Sequence, residues 1–157
     1  MNYEDLYQEF SILEDRFTNG FKFLKEPIGD PTILLSKYGI DFLEILKDFT
    51  KLSQKVSLER KKYKDELDRK IAIFSISERA RFEAEGKKVT EGFLDNLINA
   101  DKEIFNQKME LNKLEALEDV VEKDLKLIYE VIQMIKKIAD IRNQVDVKLG
   151  ANFEEGE

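Results

Sequence analysis

Two long runs without proline or glycine constrain the fold more than any other feature of this sequence. The first extends from residue 40 to residue 85, and the second from residue 102 to residue 149. Proline breaks a helix interior and glycine weakens it, so their absence over such long runs favours continuous helices. At a rise of 1.5 Å per residue, each helix would be about 70 Å long.

Apolar residues in both runs recur at helical spacing. In the first run, Phe42, Phe49 and Val56 lie seven residues apart, although several polar residues interrupt the pattern. The second run is more regular and carries extra apolar residues beside its main stripe, namely Leu117, Val120, Val131, Met134, Ile138 and Ile141. A stripe this wide needs more than one partner helix. We therefore predict a homo-oligomer whose interface includes Leu125, Ile128, Ile132 and Ile135.

Breaks in these patterns divide the chain into segments of one helical domain, residues 1–150. Thr90 and Asp101 are predicted N-caps, since their side chains can accept hydrogen bonds from a helix N-terminus. The predicted segments are N-terminal helices and a linker (1–38), a basic long helix (39–85), a connection (86–100), an amphipathic long helix (101–149) and an acidic tail (151–157). Two long helices joined by a short connection can fold back on each other. We predict an all-α, elongated antiparallel hairpin with short N-terminal helices, which assembles into a helical-bundle oligomer.

Composition excludes several kinds of chemistry. The chain has no cysteine and no histidine, so it lacks the usual zinc ligands, catalytic thiols and imidazole bases. Acidic residues near 115–122 fall at helical spacing beside lysines, which is typical of surface ion pairing. No apolar run approaches the ~20 residues that span a bilayer. We expect a cytoplasmic protein that is not an enzyme, binds no cofactor or metal ion, and contacts no membrane.

Positive charge is concentrated in residues 55–88. The chain has a net charge of −7, yet this segment holds eleven basic and seven acidic residues. Such a run is either a solvated helix face or a phosphate-binding surface. Aromatic residues lie among the basic ones, a combination that holds single-stranded nucleic acid without sequence preference. The candidate nucleic-acid-binding residues are Lys62, Arg69, Arg79, Arg81, Phe82, Lys87 and Lys88.

The order of these features resembles a known family. The chain opens with Glu4-Asp5-Leu6, its basic helix ends near Arg79-Ala80-Arg81, and its last helix follows Ala100-Asp101-Lys102-Glu103-Ile104. In this order it resembles the UvsY-type recombination mediators of tailed phages. The resemblance implies a non-catalytic, homo-oligomeric protein that loads a RecA-like recombinase onto single-stranded DNA and contacts a single-strand-binding protein. It also implies a DNA-binding role for Arg79 and Arg81.

Two other functions fit the same sequence. In a coiled-coil structural or assembly protein, the basic helix would only pair with the acidic one. In an acidic inhibitor that mimics DNA, the negative surface would bind a nucleic-acid enzyme. Binding to single-stranded DNA distinguishes the mediator from both alternatives.

Overall fold

A computed structural model describes the backbone of residues 2–21 and 34–154. This part of the chain has an all-α fold. Its four helices are α1 (Tyr3–Gly20), α2 (Ile40–Ala84), α3 (Glu91–Ala100) and α4 (Lys102–Glu154). A π-helical segment, Leu34–Gly39, leads directly into α2. The prediction of an all-α fold with two long helices is confirmed.

Side-chain caps define where three of the helices begin. At α1, the Asp5 N–H donates to Asn2 Oδ1 at 2.8 Å and the Asn2 N–H donates to Asp5 Oδ2 at 3.2 Å, which forms a capping box. At α3, the Phe93 N–H donates to Thr90 Oγ1 at 3.3 Å. At α4, the Ile104 N–H donates to Asp101 Oδ1 at 2.8 Å. Both N-caps predicted from the sequence are therefore confirmed.

Ion pairs between helices show that α2 and α4 run antiparallel. Arg60 Nε lies 2.5 Å from Glu118 Oε2, and further along the hairpin Lys70 pairs with Glu103. As residue numbers rise along α2, those of its partners on α4 fall. The Arg60 contact is a close ion pair rather than an aligned hydrogen bond, because its Nε–H has no acceptor in line. The predicted hairpin of long helices is confirmed.

Helix α1 packs against the end of the hairpin that holds the start of α2. Lys55 Nζ lies 2.6 Å from Glu9 Oε1, and Arg16 Nη1 lies 2.9 Å from Asp48 Oδ2, so α1 runs antiparallel to α2. The Lys113 ammonium of α4 lies 5.6 Å from the centre of the Tyr3 ring. Helix α1 therefore bridges α2 and α4, and this end of the molecule is a three-helix bundle.

The main core lies inside this bundle and is rich in aromatic rings. Phe49 is fully buried, and its ring packs edge-on against Phe10 and Phe17 at centroid distances of 6.2 and 6.3 Å. Phe17 also packs edge-on against Phe42 at 6.0 Å. The heptad positions of α2 thus bury their side chains against α1 and α4, as amphipathic helices do.

A smaller core holds the opposite end together. It consists of Leu67 from α2, Leu94 and Ile98 from α3, and Ile104 from α4. Phe74 and Leu111 are partly buried against it. Because α3 packs against α2 and α4 at the closed end of the hairpin, it holds the connection between these two helices in place.

The residues predicted to form an oligomer interface belong to the core of the single chain. Ile128, Ile132 and Ile135 are buried, and Leu125 packs against the same core. Their periodicity correctly marked a buried face, but α1 and α2 of the same chain cover it. A periodic pattern cannot distinguish burial by a neighbouring helix from burial by a second subunit.

The predicted segment boundaries differ from the helices at two places. Helix α4 passes through Gly150 to Glu154, about one turn into the segment predicted to be an acidic tail. A single glycine costs a helix only about 1 kcal/mol, so it need not end one. The connection at 86–100 contains α3. The predicted linker falls mostly on residues 22–33, which lie outside the described residues.

Phe49→Ala tests the aromatic core. Removal of this fully buried ring should lower the free energy of unfolding by about 3–5 kcal/mol in urea denaturation. Leu43→Ala is the control, because Leu43 lies on the same helix and is half exposed. A similar loss of stability in both variants would contradict the assignment of Phe49 to the core.

Asp124 is a half-buried residue of α4, and Glu14 of α1 is its charged neighbour. Burial, with a smaller contribution from the negative charge of Glu14, raises the pKa of this carboxyl. The charged form therefore destabilises the folded chain at neutral pH, and this cost disappears as the pH falls through the raised pKa.

Asp124→Asn should raise the free energy of unfolding at pH 7 by about 0.5 kcal/mol. The advantage over the parent chain should shrink when urea denaturation is repeated near pH 4. A destabilised Asn variant at pH 7 would contradict the sign of this effect.

Candidate nucleic-acid interface

The C-terminus of α2 reverses the chain through Gly86. This glycine has a φ of +68°, a left-handed conformation that residues with a Cβ atom rarely adopt. The Gly86 N–H donates to the Glu83 carbonyl at 3.0 Å, and the Lys87 N–H donates to the Phe82 carbonyl at 2.9 Å. These two hydrogen bonds form a Schellman motif, which returns Lys87 toward the last turn of α2.

The first turn of α3 brings a second aromatic ring to the same place. The Thr90 cap begins α3, and Phe93 in its first turn packs edge-on against Phe82, with ring centroids 5.3 Å apart and ring planes at 82°. Phe93 remains 44% exposed. An aromatic pair joined in this way is rigid and still presents ring surface to solvent.

Two cations lie against this aromatic pair. The guanidinium carbon of Arg81 is 4.7 Å from the centre of the Phe82 ring, and the Lys87 ammonium is 5.8 Å from it. Both distances fall within the range of cation–π attraction. We call the group Arg79, Arg81, Phe82, Lys87, Lys88 and Phe93 the basic–aromatic tip. Five of the seven residues predicted from the sequence belong to it.

Carboxylates within the chain balance most of the positive charge at the tip. Arg79 Nη2 lies 2.5 Å from Glu91 Oε1, and Arg81 Nη2 lies 2.8 Å from Glu78 Oε2. Lys87 Nζ lies 2.7 Å from Glu85 Oε2. The Arg79 and Lys87 pairs are exposed on both sides, so each holds a cation in place without strong stabilisation. In the third pair Arg81 is exposed, whereas the Glu78 side chain is mostly buried. Lys88 is exposed and makes no ion pair with the described residues.

The other two predicted residues, Lys62 and Arg69, lie away from the tip. At 1.5 Å per residue, Arg69 is about 18 Å and Lys62 about 28 Å back along α2 from Arg81. Lys62 donates a hydrogen bond to Glu59 at 2.9 Å, and this bond lowers the pKa of the Glu59 carboxyl. The structure therefore places Lys62 and Arg69 outside the basic–aromatic tip.

The surface between α2 and α4 beside Lys62 is rich in carboxylates. A groove of about 470 Å³ there is lined by Glu59, Tyr63, Glu66, Glu103, Asn106, Gln107 and Glu110. Lys62, Lys70 and Lys113 each pair with one of its glutamates. The lining itself contains no basic side chain, so the basic surface does not extend along the whole of α2.

Two further findings concern other kinds of site. Among the side chains that the structure describes, no group of three or more acidic residues is arranged to hold a metal ion. Glu118, from the acidic cluster seen in the sequence, pairs with Arg60 instead. The helices in the described part of the chain are not long and apolar enough to cross a membrane.

The described residues thus define an all-α helical hairpin with a basic and aromatic end. Comparisons with protein-family models, with curated proteins and with solved structures found no match for this chain.

Sequence reasoning missed Phe93 and the three carboxylates that pair with the tip cations. Phe93 is three residues after its cap, so an aromatic residue in the first turn of α3 was the available signal. Glu78 precedes Arg81 by three residues, which is the spacing of a helical ion pair. Contact between Arg79 and Glu91 depends on how α3 packs and has no signal in the local sequence.

Gly86→Ala tests the turn that builds the tip. Added at Gly86, a Cβ atom would meet nothing within 4 Å, so its cost arises from the left-handed backbone alone. We expect a loss of about 1–2 kcal/mol in the free energy of unfolding, measured by urea denaturation.

Gly92→Ala is the matched control, since a Cβ atom there also meets nothing within 4 Å and the residue lies in α3. It should keep or slightly raise the stability. Equal effects of the two substitutions would show that the turn conformation at Gly86 carries no special constraint.

Proposed function

We propose that this chain is a non-catalytic protein that binds single-stranded DNA and acts as a recombination mediator, helping to load a RecA-like recombinase. The observation that carries this proposal is the basic–aromatic tip, where Arg81 and Lys87 lie on the Phe82 ring and Phe93 presents a second ring. Proteins that hold single strands combine such stacking surfaces with cations that follow the phosphates.

Three residues of the tip contact the DNA strand directly in this proposal. A base stacks on the exposed part of Phe93, while Lys88 and Arg81 contact the adjoining phosphates. Because Glu78, Glu85 and Glu91 already pair with tip cations, a phosphate must compete with these carboxylates for the same donors. One tip therefore binds weakly, and useful affinity requires several chains on one strand.

The partner proteins in this proposal are those implied by the resemblance. A RecA-like recombinase and a single-strand-binding protein would contact the chain, which itself acts as a homo-oligomer. Outside residues 55–88 the chain is acidic, and acidic surfaces suit contacts with basic protein surfaces more than with DNA. This division assigns DNA to the tip and partner proteins to the remainder.

A structural or assembly role is the second candidate, and a specific observation favours it. Arg60 and Lys70 of the basic helix pair with Glu118 and Glu103 of α4, so part of the basic charge serves to join the two helices. In this alternative, the chain forms oligomers and does not bind nucleic acid. The experiment on DNA binding separates the two candidates.

Fluorescence anisotropy with labelled oligo-dT across a salt series tests the proposed function. We expect the affinity to fall steeply with salt, because phosphate contacts release counterions. Arg81→Ala combined with Lys88→Ala should weaken binding at least tenfold at low salt. Lys126→Ala combined with Lys136→Ala removes the same charge from exposed positions of α4 and should have little effect. Equal losses in the two double variants would indicate attraction by net charge alone.

The stacking role of Phe93 is tested by comparing two variants. Phe93→Ala should weaken binding to oligo-dT about tenfold, the effect of losing one base–aromatic contact. Tyr129→Ala is the control, because Tyr129 is an exposed aromatic residue of α4 remote from the tip. Circular dichroism of both variants verifies the fold. Unchanged binding by Phe93→Ala would remove the stacking role, and no salt-sensitive binding by the parent chain would favour the assembly role.

A further inference from the structure

Helix α4 carries a row of exposed apolar side chains, one every seven residues. Val120, Leu127, Met134 and Ile141 are 40%, 45%, 37% and 61% exposed. Seven residues are close to two helical turns, so these four side chains lie along one side of α4. We call them the outer stripe. It is about 32 Å long at 1.5 Å per residue.

The outer stripe lies beside the face that α4 buries in its own chain. Val121, Ile128 and Ile135, which immediately follow the first three stripe residues, are fully buried in the main core. Consecutive residues of a helix point about 100° apart. Val131, four residues after Leu127, is also buried, so the apolar surface of α4 continues from the core to the outer stripe. The chain covers one part of this surface and leaves the outer stripe exposed, which accounts for the wide stripe seen in the sequence.

Charges of alternating sign border the outer stripe. Lys123, Glu130 and Lys137 each follow a stripe residue by three positions, and all three are exposed. None of them forms an ion pair with another residue in the described parts of the chain. This border consists of one lysine, one glutamate and one lysine at seven-residue intervals.

We infer that two copies of this chain associate through their outer stripes, with the two α4 helices antiparallel. A two-fold axis perpendicular to the helices brings the same border of both helices together. With the axis beside Leu127, each Leu127 meets its own copy, Val120 meets Met134 of the other chain, and Lys123 faces Glu130. With the axis beside Met134, Glu130 faces Lys137 instead.

Both positions of the axis match opposite charges twice, once on each side of the axis. A parallel pair places the borders on opposite sides of the contact and gains nothing from their charges. A two-fold interface requires a patch that is complementary to itself. The alternating charges of the border meet this requirement only when the two α4 helices are antiparallel. Apolar contact supplies the attraction, and the bordering charges determine the direction and register of the helices.

The dimer itself does not depend on the proposed function. Its role in DNA binding, described next, rests on that proposed function. The tip lies at the start of α4, about 38 Å from Leu127 at 1.5 Å per residue. In the antiparallel pair, the two tips lie at opposite ends, about 75 Å apart or more. A long single strand can contact both tips at once, whereas a short one contacts a single tip.

Exchanging the border charges tests the inference without DNA. Glu130→Lys gives a border of three lysines, and Lys123→Glu combined with Lys137→Glu gives a border of three glutamates. Sedimentation equilibrium at several concentrations should show a dimer for the parent chain and a weakened or absent dimer for each variant alone. A mixture of the two variants should recover a one-to-one dimer in either register.

Two controls separate the stripe from general effects of charge and hydrophobicity. Glu122→Lys makes the same charge change as Glu130→Lys on another side of α4 and should leave the dimer intact. Leu127→Gln should abolish the dimer, whereas Leu43→Gln, at a similarly exposed position of α2, should not. All of these side chains are exposed, and circular dichroism verifies that each variant folds.

Two outcomes would overturn the inference. If the parent chain remains monomeric at every concentration, the outer stripe does not bind a second copy of the chain. An assembly that survives Leu127→Gln, or variants that fail to associate when mixed, places the contact elsewhere. Because mass is measured without DNA and oligo-dT binding is tested at the tip, either proposal can fail while the other stands.

Discussion

The apolar contact between α2 and α4 is the interaction on which the rest of the structure depends. Helices of 45 and 53 residues with this many charges gain little from intrinsic propensity and are held by the burial of one face. Phe49 and Ile128 represent the two sides of that contact, and both are fully buried. Helix α1 then covers the first half of α2, and α3 closes the opposite end.

The position of the tip follows from this contact. Because α2 and α4 are antiparallel, the end of α2 and the start of α4 lie at the same end of the molecule. A short connection must reverse the chain there, and Gly86 in its left-handed conformation makes this possible. The reversal places Lys87 beside Phe82, while α3 brings Phe93 to the same ring. Positive charge and aromatic surface thus meet without a dedicated binding domain.

The distribution of charge gives the hairpin two different surfaces. Along the α2–α4 contact, Arg60 and Lys70 are occupied by carboxylates, and the groove beside them is acidic. At the tip the cations are also paired, but Glu91 and Glu85, the partners of Arg79 and Lys87, are exposed and lie at helix ends, where phosphate can compete for these cations. On α4, the outer stripe is apolar with a border of alternating charge, which suits a protein surface rather than nucleic acid.

The sequence by itself determined the helical class, the two long helices, the Thr90 and Asp101 caps and the antiparallel hairpin, because these depend on local periodicity and on short connections. It also located five residues of the tip. Only the tertiary structure decided which apolar residues of α4 are core and which are exposed, because that depends on the rotation of α4 against α1 and α2. For the same reason, Ile128 proved to be core rather than interface, and the contacts of Phe93 with Phe82 and of Arg79 with Glu91 became visible only once α3 was packed.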